Sequence, residues 1–135
     1  MFAITVKTEF CAAHALSVAG VEEPIHGHNF RVHLTLEGPE LDSDGLLCDF
    51  HTIEDALEQL LAPFQNANLS DHPPFDTTNA SAEAIAHHIA EHMHIRVGEA
   101  LAPHARIASV SVSEAPGCVA TYRPPLPSAA SVPSS

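Results

Sequence analysis

Two histidines separated by one glycine, His26 and His28, have the residue type and spacing that most directly suggest chemistry. Apolar and polar residues alternate from Phe30 to Glu37, as in a half-buried strand. Alternate residues of a strand share a face, so both imidazoles are expected on the apolar side. Gly27, without a side chain, is expected to let a metal or ligand approach the backbone between them. Because imidazole is a good zinc ligand, we predict a metal pair here.

A third ligand is expected from the first strand. Residues 2–8 alternate in the same way and run into Phe10, Ala12 and His14, which share one face. Opposed side chains on neighbouring antiparallel strands can reach a common ion. A catalytic zinc usually has three protein ligands and one open position. The sequence therefore predicts a Zn²⁺ site formed by His14, His26 and His28.

Two glutamates are candidates for a catalytic or substrate-binding role beside this ion. Glu114 occupies an inward position at the end of a valine-rich strand, where it either accepts the N–H edge of a heterocycle or returns to solvent. Glu22 lies four residues before His26, in the loop that leads to the metal pair. It is either a base acting on a substrate or a solvated loop residue.

Other titratable residues fall outside the strands. Asp71 and His72 form a pair in an irregular segment, 65–79, either as an oriented general base or as part of a turn before Pro73. A helix carries four more histidines that lack the arrangement of a helical zinc motif, and we interpret them as a titratable polar face. They are His87, His88, His92 and His94.

The order of the elements predicts an α+β fold. Strands are predicted at 2–8, 28–37, 106–114 and 118–123. The first predicted helix starts near Asp49 (or Thr52) and ends at Pro63. The second starts near Asn79 or Ser81 and ends at Pro103. Hairpins at both ends with two helices between them indicate a four-stranded antiparallel sheet with both helices on one face. Residues 1–123 are expected to form one domain, and the Pro/Ser-rich tail 124–135 to be disordered or extended.

Composition narrows the classes of function. The formal net charge of the 135-residue chain is −12, which argues against nucleic acid as a partner. The sequence contains no apolar run long enough to span a bilayer and no pattern of a signal peptide, so we expect a cytoplasmic protein without a membrane partner. The three cysteines, with no paired spacing, are expected to be free thiols.

Six motifs in order resemble the 6-pyruvoyl-tetrahydropterin synthase and 6-carboxy-tetrahydropterin synthase family. They lie at residues 10–14, 26–29, 45–50, 69–72, 79–83 and 110–114. The resemblance implies the tunnelling fold, in which three subunits join their sheets into a barrel and two trimers stack as a homohexamer. It also implies active sites between subunits.

The resemblance also assigns roles. It implies that His14, His26 and His28 are zinc ligands, that Glu114 anchors the pterin ring, and that Asp71 and His72 relay protons. It implies a small-molecule pterin as substrate, 7,8-dihydroneopterin triphosphate.

One position departs from the family pattern. Glu22 stands where the family has a catalytic cysteine, and strand parity keeps Cys11 from replacing it. A branch of the family with glutamate here cleaves the side chain to 6-hydroxymethyl-7,8-dihydropterin for folate synthesis. We therefore expect a zinc-dependent, aldolase-like lyase with Glu22 as base. The alternatives are 6-pyruvoyl- or 6-carboxy-tetrahydropterin synthase activity, an inactive pterin-binding homologue, or a metal-handling protein. The pathway is folate, queuosine-type or biopterin-type biosynthesis.

Overall fold

The computed structural model describes residues 1–101 and 104–125. The elements are β1 (Phe2–His14), β2 (Ser17–Val18), β3 (Val21–Glu22), β4 (His26–Gly38), α1 (Phe50–Leu61), β5 (Ala67–Asn68), α2 (Ala82–Leu101), β6 (Arg106–Ala115) and β7 (Cys118–Tyr122). Single 3₁₀ turns follow α1 and β5. The predicted order of four main strands and two helices is confirmed, whereas Pro103 and residues 126–135 of the tail lie outside the described residues.

The main sheet is built on a long pair of strands. β1 and β4 are antiparallel over 13 residues each, with register partners from Phe2 and Gly38 to His14 and His26. β6 pairs with β4 and β7 with β6, also antiparallel, so the four main strands run in the order β1-β4-β6-β7. The α+β fold with its four-stranded antiparallel arrangement is therefore confirmed.

The segment 65–79 is more ordered than its sequence indicates. It contributes β5, which pairs in parallel with β1 at Ala12 and Ala13 and makes the whole sheet mixed. Leu69 and Phe75 from this segment are buried in the core. A two-residue strand is too short to show a period, which is why the sequence pattern did not predict it.

One face of the sheet forms the core together with both helices. Because the period of a strand is two, the even-numbered residues of β1 and β4, and those of β6 after the bulge that follows Ile107, point to this face. Among them are Phe10, Phe30, Leu34 and Val112, each at most 2% exposed. The opposite face is polar, with hydroxyl pairs such as that between Thr5 and Thr35.

The helices begin at the caps that their sequences offer. The Asp49 carboxylate accepts from the backbone N–H of His51 at the start of α1. At the start of α2 the Ser81 hydroxyl accepts from the N–H of Ala84, which identifies Ser81 rather than Asn79 as the cap. The predicted stripe of α2 is buried, namely Ile85, Ile89, Met93 and Val97. Among the described residues, no helix combines the length and hydrophobicity needed to cross a membrane.

Candidate metal centre

The three predicted histidines converge at one end of the sheet. His14 ends β1, and its register partner is His26, the first residue of β4; His28 follows on the same face. Each ring offers one nitrogen, and these nitrogens lie within 4.8 Å of one another. The Nε2 atoms of His14 and His26 are 3.1 Å apart. This distance is compatible with two ligands of one ion.

Backbone carbonyls fix the tautomers of two of these rings. His14 Nδ1 lies 2.8 Å from the Ala80 carbonyl oxygen, and His26 Nδ1 lies 2.8 Å from the Pro24 carbonyl oxygen. A carbonyl oxygen only accepts, so both Nδ1 atoms carry the proton and donate. In the neutral rings both Nε2 atoms then have a free lone pair. Two lone pairs at this separation repel each other unless a proton or a metal ion lies between them, so the donor set fits a metal ion.

The third ring gives an independent indication of the same kind. The Nε2 atom of His28 is buried and has no hydrogen-bond partner among the described residues. A buried polar atom without a partner is costly, and a bound cation would satisfy it. The structure therefore contains a histidine cluster that could hold a metal.

An aromatic floor holds the rings in place. Phe30 is fully buried, and its ring centroid lies 5.3 Å from that of His14 and 5.6 Å from that of His28. Phe10 stacks on Phe30 at 5.1 Å. The apolar floor limits the directions in which the imidazoles can turn, and His14 itself is only 1% exposed.

Gly27 does not make room for an ion, contrary to our expectation. A Cβ atom at this residue would meet only the Ala12 carbonyl oxygen, at 3.8 Å, an ordinary contact. Because strand residues alternate, that Cβ would point away from the face that carries His26 and His28.

Glu114 lies beside the histidines rather than within their cluster. Its carboxylate is 3.9 Å from His28 Nε2, and its side chain is 29% exposed. β6 thus places a half-buried carboxylate at the side of the site nearest His28. This position is compatible with a role for Glu114 as the anchor of a heterocycle, which stays a prediction.

Glu22 is carried by a small hairpin formed from β2 and β3. The hairpin lies in the loop between His14 and His26, so both ends of that loop are at the metal centre. The Glu22 side chain is exposed. Cys11 faces the other way: its thiol donates to the Asn29 side-chain oxygen, 2.8 Å away, on the polar face of the sheet. The parity argument against Cys11 is therefore confirmed.

Asp71 and His72 lie on the opposite flank of the centre from Glu114. They follow β5, which runs beside β1 at Ala12 and Ala13, so they approach the end of the sheet that carries His14. Asp71 is exposed, and the His72 ring meets the edge of Phe64 at 5.9 Å. Among the described residues no hydrogen bond joins the two side chains, so their relay role remains a prediction.

The helical histidines behave as a separate cluster. His88 and His92 have ring centroids 4.2 Å apart, and His87 contacts Glu91 at 3.0 Å. Burial, together with the charge of His92, lowers the pKa of His88 to about 4. No group of three metal-binding side chains is found here within the described residues.

Sequence reasoning missed the residues that support the site. The Ala80 and Pro24 carbonyls orient two ligands, and the Asn79 carboxamide bonds the backbone of Ser17 in the β2–β3 hairpin. Asn79 and Ser17 are 62 positions apart, and nothing local in the sequence connects them. The only local signal was that two cap candidates, Asn79 and Ser81, stood before one helix.

Fold and site together define a class of protein, an α+β domain with a cluster of three histidines that could bind a metal at the end of an antiparallel sheet. A family model described as 6-pyruvoyl tetrahydropterin synthase matches residues 3–125. The chain belongs to this family.

Individual relatives are more distant. The 6-carboxy-5,6,7,8-tetrahydropterin synthase of Bacillus subtilis (strain 168) is 26% identical over 133 residues, covering 91% of this chain and 86% of the relative. The structure of Caenorhabditis elegans 6-pyruvoyl tetrahydropterin synthase is 21% identical with a TM-score of 0.79, covering 92% and 96% of the two chains.

A third relative is a Plasmodium vivax 6-pyruvoyltetrahydropterin synthase in which a catalytic glutamate is replaced by alanine. It is 20% identical with a TM-score of 0.77, covering 93% and 98% of the two chains. At these identities the structural likenesses establish the fold.

Proposed function

We propose that this protein is a zinc-dependent lyase that cleaves the side chain of 7,8-dihydroneopterin triphosphate or a related pterin to 6-hydroxymethyl-7,8-dihydropterin. The observation that carries the proposal is the convergence of three imidazole nitrogens, two of which stand at the two ends of the loop that contains Glu22. Membership of the family supports a pterin as substrate.

The metal ligands would be His14, His26 and His28, each through Nε2. Three neutral nitrogen ligands favour zinc over harder cations and leave one position for substrate. When bound there, zinc would supply Lewis acidity, easing the loss of a proton from a side-chain hydroxyl and polarising a carbonyl as it forms.

Glu22 would act as the base. A carboxylate can accept a proton but lacks the nucleophilicity of a thiolate, so it suits cleavage by proton removal. The catalytic glutamate named for the Plasmodium vivax relative supports an acid of this kind in the family.

The reaction would balance without any oxidant. Glu22 takes the proton of the hydroxyl on the second side-chain carbon, and the bond between the first and second carbons breaks. The electron pair passes into the conjugated ring system, and the second carbon leaves as an aldehyde that keeps the triphosphate. Asp71 and His72 would return a proton to the first carbon, and Glu114 would hold the ring through its N–H edge.

A complete site would be assembled between subunits. Glu114 and the Asp71–His72 pair flank the histidines on opposite sides within one chain, which leaves room for a neighbour to complete the pocket. We propose a homohexamer, a dimer of trimers, in the cytoplasm.

The direct test is to identify the product. Zinc-loaded protein is incubated with 7,8-dihydroneopterin triphosphate, and the pterins are separated and identified by mass. We expect 6-hydroxymethyl-7,8-dihydropterin from the wild type and a loss of at least about 100-fold in kcat for Glu22→Ala. No turnover by the wild type, or full turnover by Glu22→Ala, would reject the mechanism.

A second candidate function is supported by the Bacillus subtilis relative, which is a 6-carboxy-5,6,7,8-tetrahydropterin synthase. The same assay distinguishes it, because that activity gives a 6-carboxylated tetrahydropterin. Glu22→Cys offers a further comparison, since it restores the thiol that the family pattern has at this position. If Glu22→Cys makes a different product from the wild type, residue 22 determines the outcome of the reaction.

A further inference from the structure

The β2–β3 hairpin has a single strong attachment to the rest of the domain. Ser17 donates its N–H to the Asn79 side-chain oxygen at 2.9 Å, and the Asn79 side-chain nitrogen donates to the Ser17 carbonyl oxygen at 2.8 Å. Among the described residues, these are the hydrogen bonds that join residues 17–22 to the remainder of the chain. The hairpin residues are exposed, including Val18 (58%) and Val21 (70%), so apolar burial does not hold the hairpin in place.

The Asn79 carboxamide forms the same two hydrogen bonds with the backbone of Ser17 that the backbone of a third strand would form. In antiparallel pairing, hydrogen-bonded and non-hydrogen-bonded residue pairs alternate. Glu23 donates its N–H to the Leu16 carbonyl, so the next pair along, Ser17 and Glu22, is the non-bonded type. The polar backbone groups of Ser17 therefore point outward, where Asn79 satisfies both. In such a pair the side chains of Ser17 and Glu22 lie close together on one face.

The residue after Asn79 serves the metal centre. The Ala80 carbonyl accepts from His14 Nδ1 at 2.8 Å, and Ala80 is only 2% exposed. Consecutive residues at the start of α2 therefore hold a metal ligand and the hairpin that carries Glu22. Both contacts come from adjacent residues, so the hairpin and His14 are attached to the same short segment before α2.

We infer that Asn79 is a positioning residue that sets Glu22 against the metal centre. It acts through the backbone of Ser17 and touches neither substrate nor metal. This inference rests on the proposed function, because it assigns Asn79 to the geometry of the base used there. Misplacing a catalytic group by about 1 Å can reduce a rate about 100-fold.

The test compares Asn79→Ala and Asn79→Asp with the matched control Thr78→Ala. Thr78 is the preceding residue and donates to the Pro74 carbonyl; among the described residues its side chain has no hydrogen bond to the hairpin. For each variant we would measure kcat and KM, zinc per chain, melting temperature, and amide hydrogen exchange at residues 17–22. Asn79→Asp keeps the acceptor for Ser17 N–H and loses the donor. Its kcat and its exchange rate at Ser17 should therefore lie between those of Asn79→Ala and the wild type.

We expect Asn79→Ala to accelerate exchange at Ser17 about tenfold and to lower kcat about 10- to 100-fold, with KM within about twofold of the wild type. Zinc content and melting temperature should match those of Thr78→Ala. Unchanged exchange or unchanged kcat in Asn79→Ala would overturn the inference. The inference would also fail if Asn79→Ala lost its zinc and this loss accounted for the lower kcat. If the wild type has no turnover, the proposed function fails, whereas the exchange measurement still decides whether Asn79 holds the hairpin.

Discussion

At the scale of single residues, the main finding is that backbone carbonyls orient two of the three histidine rings that could bind a metal. His14 and His26 have their protons held on Nδ1 by the carbonyl oxygens of Ala80 and Pro24. Such partners determine which nitrogen is free to bind a metal and raise its basicity. The third histidine, His28, has instead an unsatisfied Nε2 that is buried.

The first prediction at this scale concerns metal content. Zinc should be present at about one per chain in the wild type, and His28→Ala should lower it well below one because two ligands bind far more weakly than three. Metal analysis after gel filtration measures this, with His92→Ala as a matched control on the helical cluster. A chelator should lower the melting temperature of the wild type but not that of His28→Ala. Equal zinc loss in both variants would mean that the metal lies elsewhere.

The second prediction concerns stability in acid. Burial lowers the pKa of His88 from 6.5 to about 4; the charges of His92 and His87 lower it further, and the charge of Glu91 opposes them. Between these two pH values the unfolded chain binds a proton that the folded chain does not, so the free energy of unfolding falls as the pH falls through this window. After allowance for partial exposure, the loss is roughly 1 to 2 kcal/mol.

His88→Phe removes this group while keeping an aromatic ring beside Phe64 and Phe75, whose centroids lie 5.6 Å and 5.4 Å from that of His88. Urea denaturation at pH 7 and pH 4.5 measures the effect. The variant should lose less stability than the wild type between these pH values, and an equal loss would show that His88 is not responsible.

At the scale of elements, strand parity explains how much the sequence could predict. The period of two fixes which side chains share a face, and it correctly placed His14, His26 and His28 together and Cys11 opposite them. It could not identify the carbonyl partner of His14, since Ala80 lies 66 residues away and a carbonyl leaves no mark in the side-chain pattern. The parallel strand β5 was missed for a similar reason, because two residues show no period.

The prediction at this scale concerns Gly38, the last residue of β4. A Cβ at Gly38 would clash with the His104 carbonyl and approach Leu47 Cδ1 at 2.6 Å, so Gly38→Ala should reduce the free energy of unfolding by about 1 to 3 kcal/mol. Gly27→Ala is the matched control in the same strand, because its Cβ meets nothing closer than 3.8 Å. Chemical denaturation compares the two, and an equal effect would contradict the packing argument.

At the scale of the whole molecule, the sheet ends in two strands that could accept partners. β5 covers β1 only at Ala12 and Ala13, and β7 pairs with β6 alone among the described strands. Long unpaired edges are usually covered in native proteins. The polar face between them carries hydroxyls such as those of Ser111 and Thr121.

The corresponding prediction is the mass in solution. Light scattering during gel filtration should give about six times the 14.3 kDa of one chain, with no dissociation at micromolar concentration. A mass that corresponds to one or two chains would contradict the proposed hexamer. It would also require Glu114 and the Asp71–His72 pair to work within a single chain.

The placement of Glu22 on a separate hairpin has a consequence for how new activities arise. The histidines and the core belong to the main sheet, whereas residue 22 belongs to an appendage whose residues are exposed. A change of one codon there can replace an acid with a thiol at little energetic cost to the scaffold. Under the proposed function, such a replacement would redirect the reaction from one product to another and leave the three histidines unchanged.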